Sequence, residues 1–285
     1  MPTPNFTERI QTFYDESSRI WEQVWGEHMH HGYYGADGKA QVENPQEAQR
    51  VLIEEILNWS DVDSPKNILD VGCGIGGSSL YLANKYLAKV TGITLSPVQA
   101  ARASARAKTA GLGDRAQFQV ADAMKMPFAD HSFDLVWSLE SGEHMPDKQM
   151  FLRECDRVLK PGGRLIVATW CHRDLTPPNP PLTVWEKEHL ANLYRLYHLP
   201  YVISLHDYQV FAQRLPLLDL KTADWSKAVS PFWLDVVKSA INPLVLLNIV
   251  ATGWQTIEGA MAIPLMMDGY RTGLICYGLL TGIKE

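Results

Sequence analysis

Glu140, Glu143 and His144 stand close together in SLESGEHMPDK and offer carboxylates and an imidazole for proton transfer. Histidine titrates near neutrality and a carboxylate can be tuned towards it, so an acid or base is expected here. A second cluster, WGEHMHHGYYG over Trp25–Gly35, carries His28, His30 and His31 with Tyr33 and Tyr34 between glycines, in what reads as a loop. No cysteine or carboxylate partner stands at metal-ligand spacing from these histidines, so no metal is expected. They read instead as a structural or substrate-facing loop and as second-choice bases. In a third stretch, LDVGCGIGG over Leu69–Gly77, Gly72, Gly74 and Gly76 alternate with Cys73 and Ile75. Glycines let the chain turn sharply there and let a ligand reach main-chain N–H groups that a Cβ would obstruct. The helix N-terminus that follows offers further N–H groups to a polar or anionic part of the ligand.

Such groups need a rigid frame. The apolar run Asn67–Val71 reads as a first strand, Ser78–Ala88 as a crossover helix and Lys89–Leu95 as a second strand. Ser96 caps a helix over Pro97–Ala110 that Gly111 ends, and Ala116–Val120 is a third strand. Phe133–Leu139 is a fourth strand, Lys148–Leu159 a helix, Pro161–Gly163 a sharp turn and Arg164–Trp170 a fifth strand. Strands alternating with helices at this spacing predict a parallel sheet with right-handed crossovers. Glu140, Glu143 and His144 then fall at the carboxyl edge, where ligands of open α/β folds lie. Asp134, inside FDLVW, is expected to support its strand end rather than meet ligand.

Upstream, Asn5–Trp25 has the apolar spacing of an amphipathic helix, and Pro45 opens a second helix that runs to Trp59. Downstream, TPPNPP over Thr176–Pro181 is a stiff linker before a helix over Leu182–Leu199. Asp207–Arg214 reads as a helix, Leu217–Ala223 as a strand, Pro231–Met267 as an apolar helical insertion and Gly273–Gly282 as a final strand. The expected organisation is a helical cap over residues 1–64, a ligand-binding core over 65–170, and remaining core strands with lid insertions over 171–285.

With 285 residues, 46% of them hydrophobic, the chain can bury a sizeable core. A formal charge of −6 without any Lys/Arg block argues against a nucleic-acid partner and for a small-molecule substrate. Cys73, Cys155, Cys171 and Cys276 are scattered and read as reduced thiols of an intracellular protein. MPTPNFTERI has neither the apolar core of a signal peptide nor the Arg/Ser bias of a transit peptide, so a cytoplasmic protein is expected, in solution or peripheral on internal thylakoid or plasma membranes. The nearest run to a membrane span, Ile241–Ala251, contains Pro243 and Asn248.

A nicotinamide site would want G-x-G-x-x-G and an acid after the second strand, whereas this chain has Thr94, Leu95 and Ser96 there. LDVGCGIGG, then Ala121-Asp122-Ala123 after the third strand, FDLVWS and LKPGGRL together resemble the class I S-adenosylmethionine-dependent methyltransferases. That resemblance implies a Rossmann-like, seven-stranded, mostly parallel sheet and S-adenosylmethionine as cofactor, leaving as S-adenosylhomocysteine. It places Asp70, Gly72, Gly74, Gly76, Asp122, Ala123 and Ser138 at the cofactor. In GITLSPVQ, which departs from members with an acid at this point, the side chains of Thr94 and Gln99 are expected to take over at the ribose, with Leu95 also at the cofactor.

The stretches FYDESSRIWEQVWGEHMHHGYYG, SLESGEHMPDK, ATWCHR, LPYVISLHDY, KTADWS and GLLTGIK resemble the γ-tocopherol C-methyltransferases of photosynthetic organisms nearly end to end, and the missing transit peptide leads to the expectation of a cyanobacterial-type protein rather than a plastid import. Plant indole-alkaloid N-methyltransferases share much of the pattern. The narrower resemblance implies methyl transfer to the ring carbon of a prenylated chromanol, γ- and also δ-tocopherol, with nitrogen methylation as the alternative. Aromatic faces attract a sulfonium, which points to Tyr14, Trp25, Tyr33 and Tyr34. Glu140 or His144 is the expected base or phenol-orienting group, and His28, His30, His31, Tyr34, Glu143 and Trp225 are expected to meet substrate. The apolar insertions Leu182–Tyr201 and Pro231–Met267 are expected to shelter the phytyl chain or touch a bilayer surface.

Overall fold

The computed structural model describes residues 10–12, 14, 15, 22, 26–240 and 254–285. Helix α1 (Pro45–Trp59) starts where Asn44 accepts the Glu47 N–H and Pro45 fills the first turn, and it buries Leu52, Ile53 and Ile56. Alternating units follow: β1 (Asn67–Val71), α2 (Gly77–Tyr86), β2 (Lys89–Thr94), α3 (Pro97–Thr109), β3 (Ala116–Val120), β4 (Phe133–Leu139), α4 (Lys148–Val158) and β5 (Leu159–His172). Beyond them lie α5 (Val184–Leu196), α6 (Leu205–Ala212), β6 (Leu217–Asp224), the short α7 (Ser226–Val229), α8 (Phe232–Ala240), α9 (Trp254–Thr272) and β7 (Ile275–Lys284).

The seven strands form one sheet in the order β3-β2-β1-β4-β5-β7-β6. Strands β1 to β5 pair in parallel, while β7 runs antiparallel between β5 and β6. Neighbouring strand residues point to opposite faces, and helices cover both. Ile68, Leu135 and Trp137 enter one core, Leu69, Val136 and Val167 the other. Strand order reverses at β1, so the chain leaving β1 and the chain leaving β4 diverge and open a crevice above the carboxyl ends.

Two boundaries differ from expectation. The Pro161–Gly163 turn lies inside β5, because the pairing slips between Phe133↔Leu159 and Leu135↔Arg164 and absorbs it as an irregularity. The apolar insertion is seen as α8 and α9. Its run from Leu244 to Ile249 and most of the Asn5–Trp25 helix, Trp25 included, fall outside the described residues. No helix among the described residues is long and apolar enough to cross a membrane.

Asp134 stands at the amino end of β4, on the opposite edge from the crevice. It accepts the Lys66 and Asn67 N–H groups at 3.0 and 2.8 Å and the Lys160 ammonium at 2.7 Å. Asp134→Ala is expected to cost about 1–2 kcal/mol in urea unfolding and leave ligand affinity at the other edge unchanged. A weakened ligand affinity would contradict this structural role.

Candidate active site

The crevice is a cleft of about 1110 Å³, counting its part open to solvent. One wall is the turn between β1 and α2. Gly72 has φ 80° there, and a Cβ on it would stand 2.2 Å from that of Ser141, so only glycine lets β1 and β4 approach this closely. The Gly72 and Cys73 N–H groups do not face ligand, since both donate to the Ile93 carbonyl, at 2.9 and 3.0 Å. The ligand-facing surface is instead Gly74, whose added Cβ would meet only Met29 at 3.6 Å, together with Gly77 and Ser78 at the start of α2.

Asp70 lies beneath this turn, where it accepts the Ser79 hydroxyl at 2.5 Å, and burial pushes its carboxyl up to about 7. At the ends of β2 and β3 the cleft is lined by Thr94, Leu95, Gln99, Asp122 and Ala123. Thr94 donates to the Gln99 side chain at 2.7 Å, which fixes the two as a pair. Asp122 accepts the Met124 N–H at 2.8 Å, so it shapes its own turn as well as the cleft. A main-chain cradle, a hydrogen-bonding pair and an exposed acid beside the apolar Ala123 and Met124 suit, in turn, an amino-acid end, a ribose and an adenine. The residues present therefore fit S-adenosylmethionine.

The opposite end of the cleft carries the titratable groups. Glu140 directly follows β4 with a left-handed backbone, φ 53°, an uncommon conformation for a residue with a Cβ. Its carboxylate accepts the His31 N–H at 2.8 Å, His31 Nδ1–H at 2.9 Å, Tyr277 O–H at 3.0 Å and Trp170 Nε1–H at 3.2 Å. Burial pushes Glu140 up, but the His31 ring and these bonds outweigh it and hold the group below the ordinary carboxylate range. A carboxylate so fully paired is an anchor for the 26–35 loop and a poor base.

His144 differs. It sits in a 3-10 turn, Gly142–His144, with Nε2 2.7 Å from the Tyr14 hydroxyl, while its buried Nδ1 has no partner among the described residues. Burial first, and then the Lys148 charge, lower it to about 3, so the ring is neutral. Glu143, next to it, accepts the Thr169 hydroxyl at 2.7 Å and is raised to about 7, by burial and then by the Glu140 charge.

Among the anticipated site residues, Tyr14, His28, His30, Asp70, Gly72, Gly74, Thr94, Leu95, Gln99, Asp122, Ala123, Glu140 and His144 line this one cleft. The others stand off its wall. Gly76 packs under Phe118 and Ala103, and Ser138 bonds Ser141 at 2.7 Å beneath the surface. Glu143 points into the protein at Thr169. His31 is enclosed by Trp170, Phe232, Trp233, Tyr270 and Tyr277. Tyr33 packs on Trp225 with ring centres 5.2 Å apart, and Tyr34 donates to Asp235 at 2.7 Å. The departures in the loop share a cause, since past His31 it leaves the cleft and lies over α1, α7 and α8: Tyr33 N donates to Ala48 O, Tyr34 N to Ala228 O and the Tyr34 hydroxyl to Asp235.

Sequence reasoning missed Gln49, Trp170 and Tyr277. Gln49 donates to the His28 and His30 carbonyls, each at 2.8 Å, and so fixes the histidine loop from α1. The one available signal was a lone amide on the apolar face of that helix.

A model described as "Methyltransferase domain" matches residues 69–167. The chain is 47% identical over 280 residues to the chloroplastic tocopherol O-methyltransferase of Arabidopsis thaliana, covering 95% of this chain and 80% of that one. The chain belongs to the tocopherol methyltransferase family, among the class I S-adenosylmethionine-dependent methyltransferases. It is 33% identical to norajmaline N-methyltransferase of Rauvolfia serpentina, over 98% of each chain. Geranyl diphosphate C-methyltransferase of Streptomyces coelicolor A3(2), solved with S-adenosyl-L-homocysteine, matches in fold, with TM-score 0.78 at 20% identity over 100% of both chains.

Glu143 makes the stability of this family member depend on pH. Its carboxyl is raised in the folded chain, so folding takes up a proton, and the stability this group adds at low pH is lost as pH rises through about 7. Glu143→Gln is expected to flatten the fall in melting temperature between about pH 5 and 7.5. An unchanged slope in a thermal-shift series would contradict the raised carboxyl.

Proposed function

We propose that the chain transfers a methyl group from S-adenosylmethionine to the ring carbon beside the phenolic hydroxyl of γ-tocopherol, and of δ-tocopherol, giving α- and β-tocopherol. The observation that carries this reading is Nδ1 of His144, which has no partner among the described residues and is buried at the end of a cleft whose other end fits the cofactor. When bound, S-adenosylmethionine supplies an electrophilic methyl on a sulfonium. Gly74, Gly77 and Ser78 would hold its amino-acid end, Thr94 and Gln99 its ribose, and Asp122 its adenine edge.

His144 holds the phenol. If Tyr14 donates to Nε2, the Nδ1–H meets the phenol oxygen; if Tyr14 accepts, bare Nδ1 takes the phenol proton in a hydrogen bond. Either arrangement fixes the hydroxyl; the second, in which Nδ1 accepts, also raises electron density on the oxygen and hence at the adjacent carbon. With the cofactor bound, the carbon–methyl bond would form as the sulfur–methyl bond breaks, and the ring hydrogen would leave as a proton to water, restoring the phenol. Positioning and exclusion of water supply much of the rate, which suits a site walled by neutral imidazoles, the Tyr14 ring and apolar side chains. His28 and His30 are neutral too, because burial lowers both. Exposed Val184 and Trp185 on α5 and Leu234 on α8 support entry of the phytyl chain from the surface of an internal membrane. Retention of the protein on phospholipid vesicles in a flotation assay is the expected result; full recovery in the soluble fraction would contradict that location.

Radiolabelled cofactor and γ-tocopherol should yield labelled α-tocopherol, and labelling of indole alkaloids alone would overturn the assignment. His144→Asn is expected to lower kcat about 100-fold with KM for the cofactor within about two-fold. Glu140→Gln, whose amide would set an N–H against the Trp170 or His31 donor, is expected to raise both KM values by loosening the loop.

A further inference from the structure

Lys148 is the second residue after Pro146 and opens α4, a place where a lysine ordinarily reaches solvent, yet it is 1% exposed. Its ammonium donates to the carbonyls of Gly142, Glu143 and Met145 at 3.0, 2.8 and 2.7 Å. Those acceptors bracket His144 in the chain, so one side chain closes the turn that presents the imidazole. Two tyrosines complete the enclosure. The Lys148 Nζ lies 4.9 Å from the centre of the Tyr201 ring, whose hydroxyl donates to Pro146 O, while Tyr208 donates to Gly142 O.

We infer that Lys148 is a positioning residue for methyl transfer: its buried ammonium, shared among three carbonyls, fixes the turn that aims His144 into the cleft. This rests on the assignment of His144 under Proposed function. Only an ammonium has a proton for each of the three acceptors, and a neutral amine would leave one without its donor. Burial lowers Lys148 to about 7 and Glu143 opposes that; the carbonyl dipoles also favour the charged form. Among the described residues no anionic side chain forms an ion pair with it, so the charge serves the backbone of the turn.

A mutant cycle separates positioning from bulk stability. Lys148→Met keeps the stem and removes the donors. It is expected to lower kcat 10-fold or more, because small displacements of a reacting group are costly, with KM for the cofactor within about two-fold. In a His144→Asn background the same substitution should cost less than about two-fold further, since it acts through His144. Effects that multiply in full would overturn this inference alone; full activity of His144→Asn would overturn it together with the reading of His144. Should Lys148→Met not fold, the wild type decides. A spectrum of lysine-labelled protein should contain a slowly exchanging ammonium besides that of buried Lys284, which Lys284→Gln assigns. Rapid exchange at every other lysine would contradict the inference.

Discussion

The site depends on one buried carboxylate. Glu140 leaves the sheet in a left-handed conformation and draws donors from three separate elements: the histidine loop, β5 and β7. An unpaired charge at that depth would cost several kcal/mol, and these partners remove most of that cost. They also hold the 26–35 loop against the sheet, which brings His28, Met29 and His30 onto the cleft wall. Remove the carboxylate and the loop loses its main polar attachment.

Around that anchor the groups nearest the chemistry are kept neutral. His144, His28 and His30 are lowered by burial, Glu143 is raised towards neutrality, and Tyr14 keeps its proton because burial raises it, with Glu143 and Glu140 adding to the effect. On the proposed reading a bound sulfonium faces a Glu140 carboxylate whose charge is already engaged by His31, Trp170 and Tyr277. Since the sulfonium charge disappears in the transition state, a strong ion pair in the ground state would raise the barrier. On the proposed reading, proton transfer falls to Nδ1 of His144, which has no partner among the described residues.

Much of this was legible in the sequence, and the reasons are physical. Glycines, strand–helix alternation and the residues at strand ends follow local rules, so LDVGCGIGG, GITLSPVQ and the Ala121–Ala123 corner could be set on one edge before any coordinates. Glu140 and His144 were legible as chemistry but not in their separate roles, because hydrogen-bond partners 30 to 137 positions away decide which is saturated. Tyr33, Tyr34 and Trp225 read as ligand contacts and proved to be loop anchors, since a loop has no periodicity to say where it leaves a cleft. Lys148 gave no signal at all, as its burial depends on how a turn folds back over it.

The position of the transferred methyl tests the account most directly. With ¹³C-methyl S-adenosylmethionine and γ-tocopherol, the product spectrum should show a methyl bonded to the aromatic carbon beside the hydroxyl, and the phenol should remain free. A methyl on oxygen, or none on any chromanol, would contradict the role given to His144 and the cleft it ends.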